Sequence, residues 1–229
     1  MTAVASPVAV EPGSRRNGRP IDWGRVALVP LFALLLTVNL LTIPHQLRTR
    51  QGAAMLVALA VALLTVAFYL LVLWAYLRRG PASATTRSVR ERTAAVVATA
   101  LPLLLPIVAG TGGSVAHDVA AGLVMLTGLT VSVLALRALG RNLSVVPQAR
   151  RLADGGPYRW VRHPLYTGEL VTVLGIVMRD LRPAALALWL LLVALQAYRA
   201  AAEERLLAVA VPGYPAYRTR TARFVPVLY

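Results

Sequence analysis

The sequence predicts an all-α integral-membrane protein of about six transmembrane helices, ending in a helical hairpin and an amphipathic tail. Three observations carry this. The chain of 229 residues is 58% hydrophobic and only 14% charged, where soluble domains carry about 25% charged residues. Its apolar residues gather in long runs, several near the ~20 residues that cross a bilayer. Its basic residues flank those runs and do not interrupt them.

Residues 1–20 mix Pro, Gly, Ser and Arg without periodicity and read as a disordered tail. No small-residue cleavage site follows the first apolar run, so the N-terminus is not read as a signal peptide. That run is Val26 to Ile43, closed by Pro44; the second is Ala53 to Leu77. The third, Ala94 to Ala109, is shorter, and Pro102 and Pro106 predict a kink. Residues 110–114 read as a tight turn. The fourth run is Val115 to Leu139, where Gly122 and Gly128 allow close helix contact. A polar segment from Gly140 to His163 follows. Then come two apolar runs, Pro164 to Met178 and Pro183 to Tyr198, separated only by residues 179–182. The chain thus divides into a tail (1–24), a four-helix transmembrane region (25–139) and a polar-motif region with the hairpin (140–229).

The chain has no Cys and no Lys, so all 24 basic residues are arginines. Disulfides, thiolate chemistry and Cys-based metal sites are excluded, and no metal site is expected. The net charge of +15 reads as topogenic, not as a nucleic-acid surface, because the arginines border apolar runs. Twenty of the 24 arginines lie at 1–25, 78–92, 137–163 and 199–229, against four at 44–52, 110–114 and 179–182. The positive-inside rule then places both termini and both long polar segments in the cytoplasm. Six crossings satisfy this parity; five would follow if the short first or third run did not cross. The Ala-, Arg- and Gly-rich composition points to a bacterial protein, hence to an inner membrane.

The two polar segments on that face carry the chemistry. In "GGPYRWVRHPLYTGEL", Pro164 suits the first turn of a helix. Arg162, Tyr166 and Glu169 are spaced to share a face, and Gly168 leaves room for a ligand or another backbone. Trp160 reads as an interfacial anchor. Glu169, inside an apolar run, calls for a buried partner or a polar cavity. In the tail, Glu203 and Glu204 are two of only nine acids, and Tyr214, Tyr217 and Arg223 follow. Carboxylates, aromatic rings, arginines and a helix N-terminus together suit a zwitterion with a cationic centre. S-adenosylmethionine carries all three matching groups. His45 and His117 sit at run ends on the other side and read as interfacial.

"GGPYRWVRHPLYTGE" followed by "EERLL" and "PGYPAYRTRTARFVP" resembles the isoprenylcysteine carboxyl methyltransferase and phospholipid methyltransferase superfamily. The preceding "LGRNLSVVPQARRLADGGPY" is similar to its bacterial branch. The resemblance covers about residues 139–226; the first four runs match only as generic membrane helices. It implies an S-adenosylmethionine-dependent methyltransferase with a cofactor pocket at the cytoplasmic face and a lipophilic acceptor arriving from the bilayer. Carried over, Gly156, Pro157, Tyr158, Arg162, His163, Tyr166, Gly168, Glu203 and Glu204 would bind the cofactor. Arg162 and Arg199 would act at the reacting centre by orienting the acceptor, and Glu169, Tyr217 and Arg223 would contact it. The acceptor is open: a prenylated or isoprenoid carboxylate, or a lipid headgroup. Two other classes stand beside this reading. Sterol-type membrane reductases share a similar C-terminal motif and use NADPH. A non-enzymatic transport or assembly protein would place polar groups inside the spans, whereas the first four carry almost none, with Asn39 and Thr65 as weak exceptions.

Overall fold

A computed structural model describes residues 22–80, 82, 84–105, 114–149 and 152–226. The expected tail up to residue 21, Pro106, and the expected turn at 110–114 apart from Ser114 lie outside the described residues. The long helices are α1 (Trp23–Thr49), α2 (Gly52–Arg78), α3 (Val89–Ala100, continued by a 3-10 turn Leu101–Leu104), α4 (Val115–Leu139), α5 (Pro164–Met178) and α6 (Pro183–Ala210); a short α7 (Tyr214–Arg220) follows. Four of them, α1, α2, α4 and α6, are long and apolar enough to cross a membrane; α5 is a shorter apolar helix.

Local chemistry sets the helix ends. Asp22, Ser88 and Ser114 cap α1, α3 and α4, each side chain accepting from a backbone N–H three residues on. Pro164 and Pro183 open α5 and α6, where a missing N–H costs nothing. Gly213, at φ +83°, lets the chain turn from α6 into α7.

Three boundaries differ from those read in the sequence. Pro44 does not end the first helix: α1 carries it internally and runs on to Thr49, a placement membrane helices tolerate. The third helix starts earlier, at Val89, because Ser88 caps it; Pro102 lies in the 3-10 turn that ends its regular part. The last helix does not stop near Tyr198. It continues through Glu203 and Glu204 to Ala210, so the glutamate pair stands on the rigid extension of a membrane helix.

The helices pack in the order α1, α2, α4, α5, α6, with α3 against α6; α2 and α4 run parallel, and their C-terminal ends meet where Arg141 reaches the Arg78 carbonyl. The α4–α5 contact is the closest. A β-carbon at Gly168 would lie 2.7 Å from the Gly128 carbonyl oxygen and 2.8 Å from the Ser132 nitrogen; one at Gly175 would lie 2.8 Å from the Ala121 carbonyl oxygen. Gly128 and Gly122 make the close contacts expected of them, with α5 and with Val57 of α2. Gly168 is consumed by backbone approach from α4, the second of its two anticipated uses.

The arginine-rich ends of the helices share one face, and there the connecting segments form a cap. Strand β1 (Ala84–Thr85) pairs antiparallel with β2 (Gln148–Ala149). Arg25 donates to the carbonyls of Tyr76 (3.0 Å) and Arg79 (3.1 Å), and Arg79 Nε to Asp22 at 2.6 Å. Arg205 pairs with Glu91 at 2.9 Å, and Arg141 Nε donates to the Arg78 carbonyl at 2.7 Å. Away from the cap, leucines such as Leu34, Leu41, Leu56 and Leu63 face outward, as a lipid-facing surface requires.

Gly168→Val is expected to drive α4 and α5 apart at a contact that has no room for a β-carbon. Overpacking of this kind costs about 1–3 kcal/mol, readable as a lowered midpoint of thermal unfolding in detergent.

Candidate functional site

The motif around Tyr158 and His163 is built by three elements. A 3-10 turn, Gly156–Arg159, carries Tyr158 into the interior. The chain then runs extended beside the C-terminal segment: Arg162 N–H donates to the Ala222 carbonyl (2.8 Å), His163 N–H to the Arg223 carbonyl (3.1 Å), and Ala222 N–H to the Trp160 carbonyl (3.1 Å). Tyr217 of α7 donates its hydroxyl to the Tyr158 carbonyl at 2.6 Å. The start of α5 is thereby fastened to residues some sixty positions later.

Glu204, on α6, is the centre of this arrangement. Its Oε1 accepts from Arg162 Nε (3.0 Å) and Arg223 Nε (3.1 Å), and its Oε2 from Arg223 Nη2 (2.7 Å). His163 Nε2 lies 3.2 Å from Oε1. The side chain is 3% exposed. A buried carboxylate survives when cations and hydrogen bonds surround it, and here three cationic or imidazole groups do so.

Glu203 is one residue earlier and therefore about 100° away around the helix. It accepts from the Tyr166 hydroxyl, lies 3.9 Å from His163 Nδ1, and remains 21% exposed. The Tyr166 ring stacks on His163 at 5.4 Å with 7° between planes. The Arg199 guanidinium sits 4.7 Å from the Tyr166 ring centroid.

Glu203 opens into a cleft of about 800 Å³, part of it open to solvent, between the end of α4, the α4–α5 connection, α6 and α7. Tyr158, Arg162, His163, Tyr166, Glu203 and Tyr217 of the sequence-predicted set line it. Leu139, Leu143, Leu165 and Leu207 give it an apolar wall. Arg162 Nη1 donates to the carbonyls of Arg218 (3.0 Å) and Thr221. With Nε on Glu204, this leaves Nη2 as the guanidinium nitrogen without a hydrogen bond among the described residues.

The other candidates lie elsewhere. Gly156 and Pro157 border a second, shallow groove on the opposite side of the 3-10 turn. Gly168 faces α4. Glu204 and Arg223 stand behind the pocket wall as an ion pair. Glu169 and Arg199 form a buried chain between α5 and α6: Gln196 Nε2 donates to Glu169 Oε2 (2.5 Å), and Arg199 Nη1 to Gln196 Oε1 (3.1 Å). Arg199 Nη2 donates to the Val145 carbonyl at 2.9 Å, while its buried Nε has no partner among the described residues. Glu169 thus has the polar company its position demands. Arg162, Tyr166 and Glu169 all reach α6, but at three levels: Glu204, Glu203 and Gln196.

Sequence reasoning missed Gln196 and the pocket residues Asn142, Ser144 and Gln148, and named Tyr214 without giving it a role. The signal for Asn142, Ser144 and Gln148 was the polar spacing in "RNLSVVPQ", a stretch read for its family resemblance without a role for its residues. Among the described residues, no group of three or more His, Asp or Glu is placed to hold a metal ion.

Outside the helices that enter the membrane, burial pushes the phenols of Tyr158 and Tyr214 well above their ordinary range. It raises Tyr217 to about 12, against the opposing charge of Arg162. A phenol whose folded pKa is raised contributes stability in full below its unfolded value near 10. That contribution is lost as pH rises toward 12. Spectrophotometric titration at 295 nm should therefore show these tyrosines ionising late, together with alkaline loss of the fold. Glu204→Gln leaves Arg162 and Arg223 without their carboxylate. Removing one partner of a buried pair costs about 3–5 kcal/mol, so this variant should show a large drop in thermal stability in detergent.

Comparison with known proteins bears on the same region. No curated protein sequence matches the chain. The family model described as phospholipid methyltransferase matches residues 117–210. The match begins earlier than the motifs suggested, taking in nearly all of α4, and stops before Tyr214, Tyr217 and Arg223. It covers α5, α6, the 3-10 turn and both glutamates, and so most of the pocket wall. Over residues 117–210, less than half of its length, this chain is similar to the phospholipid methyltransferase family, a family of membrane methyltransferases.

Proposed function

We propose that the protein transfers a methyl group from S-adenosylmethionine to a lipophilic acceptor at the cytoplasmic surface of a bacterial inner membrane. The observation that carries this reading is the cleft in which a partly exposed carboxylate, Glu203, stands among tyrosines and below a leucine wall. The residues present fit the cofactor. Glu203 and the rings of Tyr158, Tyr166 and Tyr217 suit its cationic groups, and Arg162 Nη2 suits its carboxylate. When bound, the cofactor supplies a methyl group on a sulfonium, an electrophile that needs alignment more than activation.

The chain's own part is positional. Glu204 holds Arg162 and His163 in place, and His163 stacks on Tyr166, which in turn donates to Glu203. The leucine wall keeps water from the acceptor side. A carboxylate acceptor needs no base in this scheme; an amine or hydroxyl would need one, and His163 is the nearest imidazole to the cleft.

The membrane reading follows from length. With 15 residues, α5 is about 22 Å long at ~1.5 Å per residue, shorter than the ~30 Å hydrocarbon core. If its far end sits at one surface, its Pro164 end lies below the other, and the cleft is sunk within reach of a lipid moving sideways. We read six crossings, with both termini and the arginine-rich cap in the cytoplasm, a tail over 1–24, a transmembrane region over 25–139 and a methyltransferase region over 140–229.

Titration calorimetry of the detergent-purified protein should show S-adenosylmethionine binding. Glu203→Gln should weaken it at least about tenfold, one lost charge-assisted contact, while leaving thermal stability near wild type. No binding by the wild type would sink the reading. Incubation with methyl-labelled cofactor and total membrane lipid, followed by mass spectrometry, would then identify the acceptor.

A further inference from the structure

The 3-10 turn Gly156–Arg159 is a wall with two sides. Tyr158 faces the cleft described above, while Pro157 and Arg159 border a second groove against the end of α4. The turn is held close to α4, since a β-carbon at Gly156 would lie 3.1 Å from that of Ala138. Leu134, Ala138 and Pro157 form the apolar floor of the groove, and Arg137, Arg159 and Trp160 rim it.

Its exposed charge and its apolar floor mark this groove. Arg137 and Arg159 are both exposed, and among the described residues neither guanidinium has an ion pair or hydrogen bond to the protein. Arg79, Arg92, Arg141, Arg162, Arg205 and Arg223, by contrast, all have one. Arg159 is held in place by stacking over Trp160, 3.8 Å from its ring centroid, so its charge is fixed at the rim. The floor continues onto an outward face of α4: Leu134, one turn before Arg137, is 47% exposed. Free cations beside an aromatic at the end of an apolar helix face match one molecule in shape and charge. It has an anionic head at the surface and a hydrocarbon tail along the helix.

We propose that this groove is a binding site for an anionic phospholipid, its phosphate between Arg137 and Arg159 and its acyl chain along Leu134 and Ala138. The occupant is a lipid and not free phosphate because the floor is apolar and leads into the lipid-facing surface. The site is separate from the proposed catalytic cleft and shares with it only the 3-10 turn and the end of α4. It does not depend on the methyltransferase reading.

The test is native mass spectrometry of the detergent-purified protein, titrated with dioleoyl-phosphatidylglycerol or dioleoyl-phosphatidylcholine. The wild type should hold the first phosphatidylglycerol at least about tenfold more tightly than phosphatidylcholine, a single good charge-assisted contact. The double variant Arg137→Gln/Arg159→Gln should lose that preference, whereas Arg137→Lys/Arg159→Lys should keep most of it. Thermal unfolding of the Gln variant should stay close to the wild type, since among the described residues neither guanidinium has a hydrogen bond or ion pair and only the exposed Arg159–Trp160 stacking is lost. Equal retention of the two lipids by the wild type would overturn the proposal, as would undiminished phosphatidylglycerol preference in the Gln variant. Displacement of the lipid by millimolar inorganic phosphate would also overturn it, by showing a site for a free anion.

Discussion

The arrangement of Glu204 is the constraint on which the rest of the site depends. One buried carboxylate holds two arginines and a histidine that come from the start of α5 and from the C-terminal segment. Desolvating a carboxylate or a guanidinium alone is prohibitive, so each group requires the others to be in position. Helix geometry then does the rest. With Glu204 turned into this cluster, Glu203 must face another way, and that way is the cleft. The two adjacent glutamates are thus chemically different: one is a structural tie, the other a partly exposed group available to a ligand.

The bundle is held by different means at its two levels. Within the lipid-facing layer, apolar burial gives helices little reason to associate, because lipid is as apolar as leucine. There α4 and α5 meet through Gly128, Gly168 and Gly175, close enough for backbone contact, and α5 meets α6 through Glu169, Gln196 and Arg199. At the arginine-rich face, ion pairs such as Asp22–Arg79 and Glu91–Arg205 join segments that the helices keep apart in sequence. The short β1–β2 pairing ties the α2–α3 connection to the α4–α5 connection, and the cleft has β2 residue Gln148 in its wall.

Much of this was legible in the sequence, and where it was not the reason is physical. Apolar runs located α2, α4 and α5 to within a residue, because in a membrane helix hydrophobicity is the whole local signal. The ends of α1, α3 and α6 were misjudged because Pro44 is accommodated within a helix, Ser88 caps four polar residues into α3, and Glu203 and Glu204 are helical residues whose charges look like a boundary. The arginine distribution correctly brought the two polar segments to one face. Pairing within that face was invisible: "EE" gives no sign that its members diverge by 100°, and Gln196, apolar in its neighbours, signals nothing until Glu169 is seen across the helix pair. Asn142, Ser144 and Gln148 reach the cleft only through the fold of a connection that has no periodicity to read.

The pairing of residues 160–163 with 222–223 has a consequence for how the protein is made. Synthesis runs from the N-terminus, so α5 and its motif leave the ribosome long before Ala222 and Arg223 exist. Throughout that interval Arg162 and His163 lack their backbone partners, and Glu204, once made, lacks Arg223. The helices can enter the bilayer in this state, since their apolar faces need nothing from the C-terminal segment. The cleft cannot form in it. Insertion and assembly of the pocket are therefore separate events in time, and residues 222–223 act as a latch that closes only after α6 and α7 have been made.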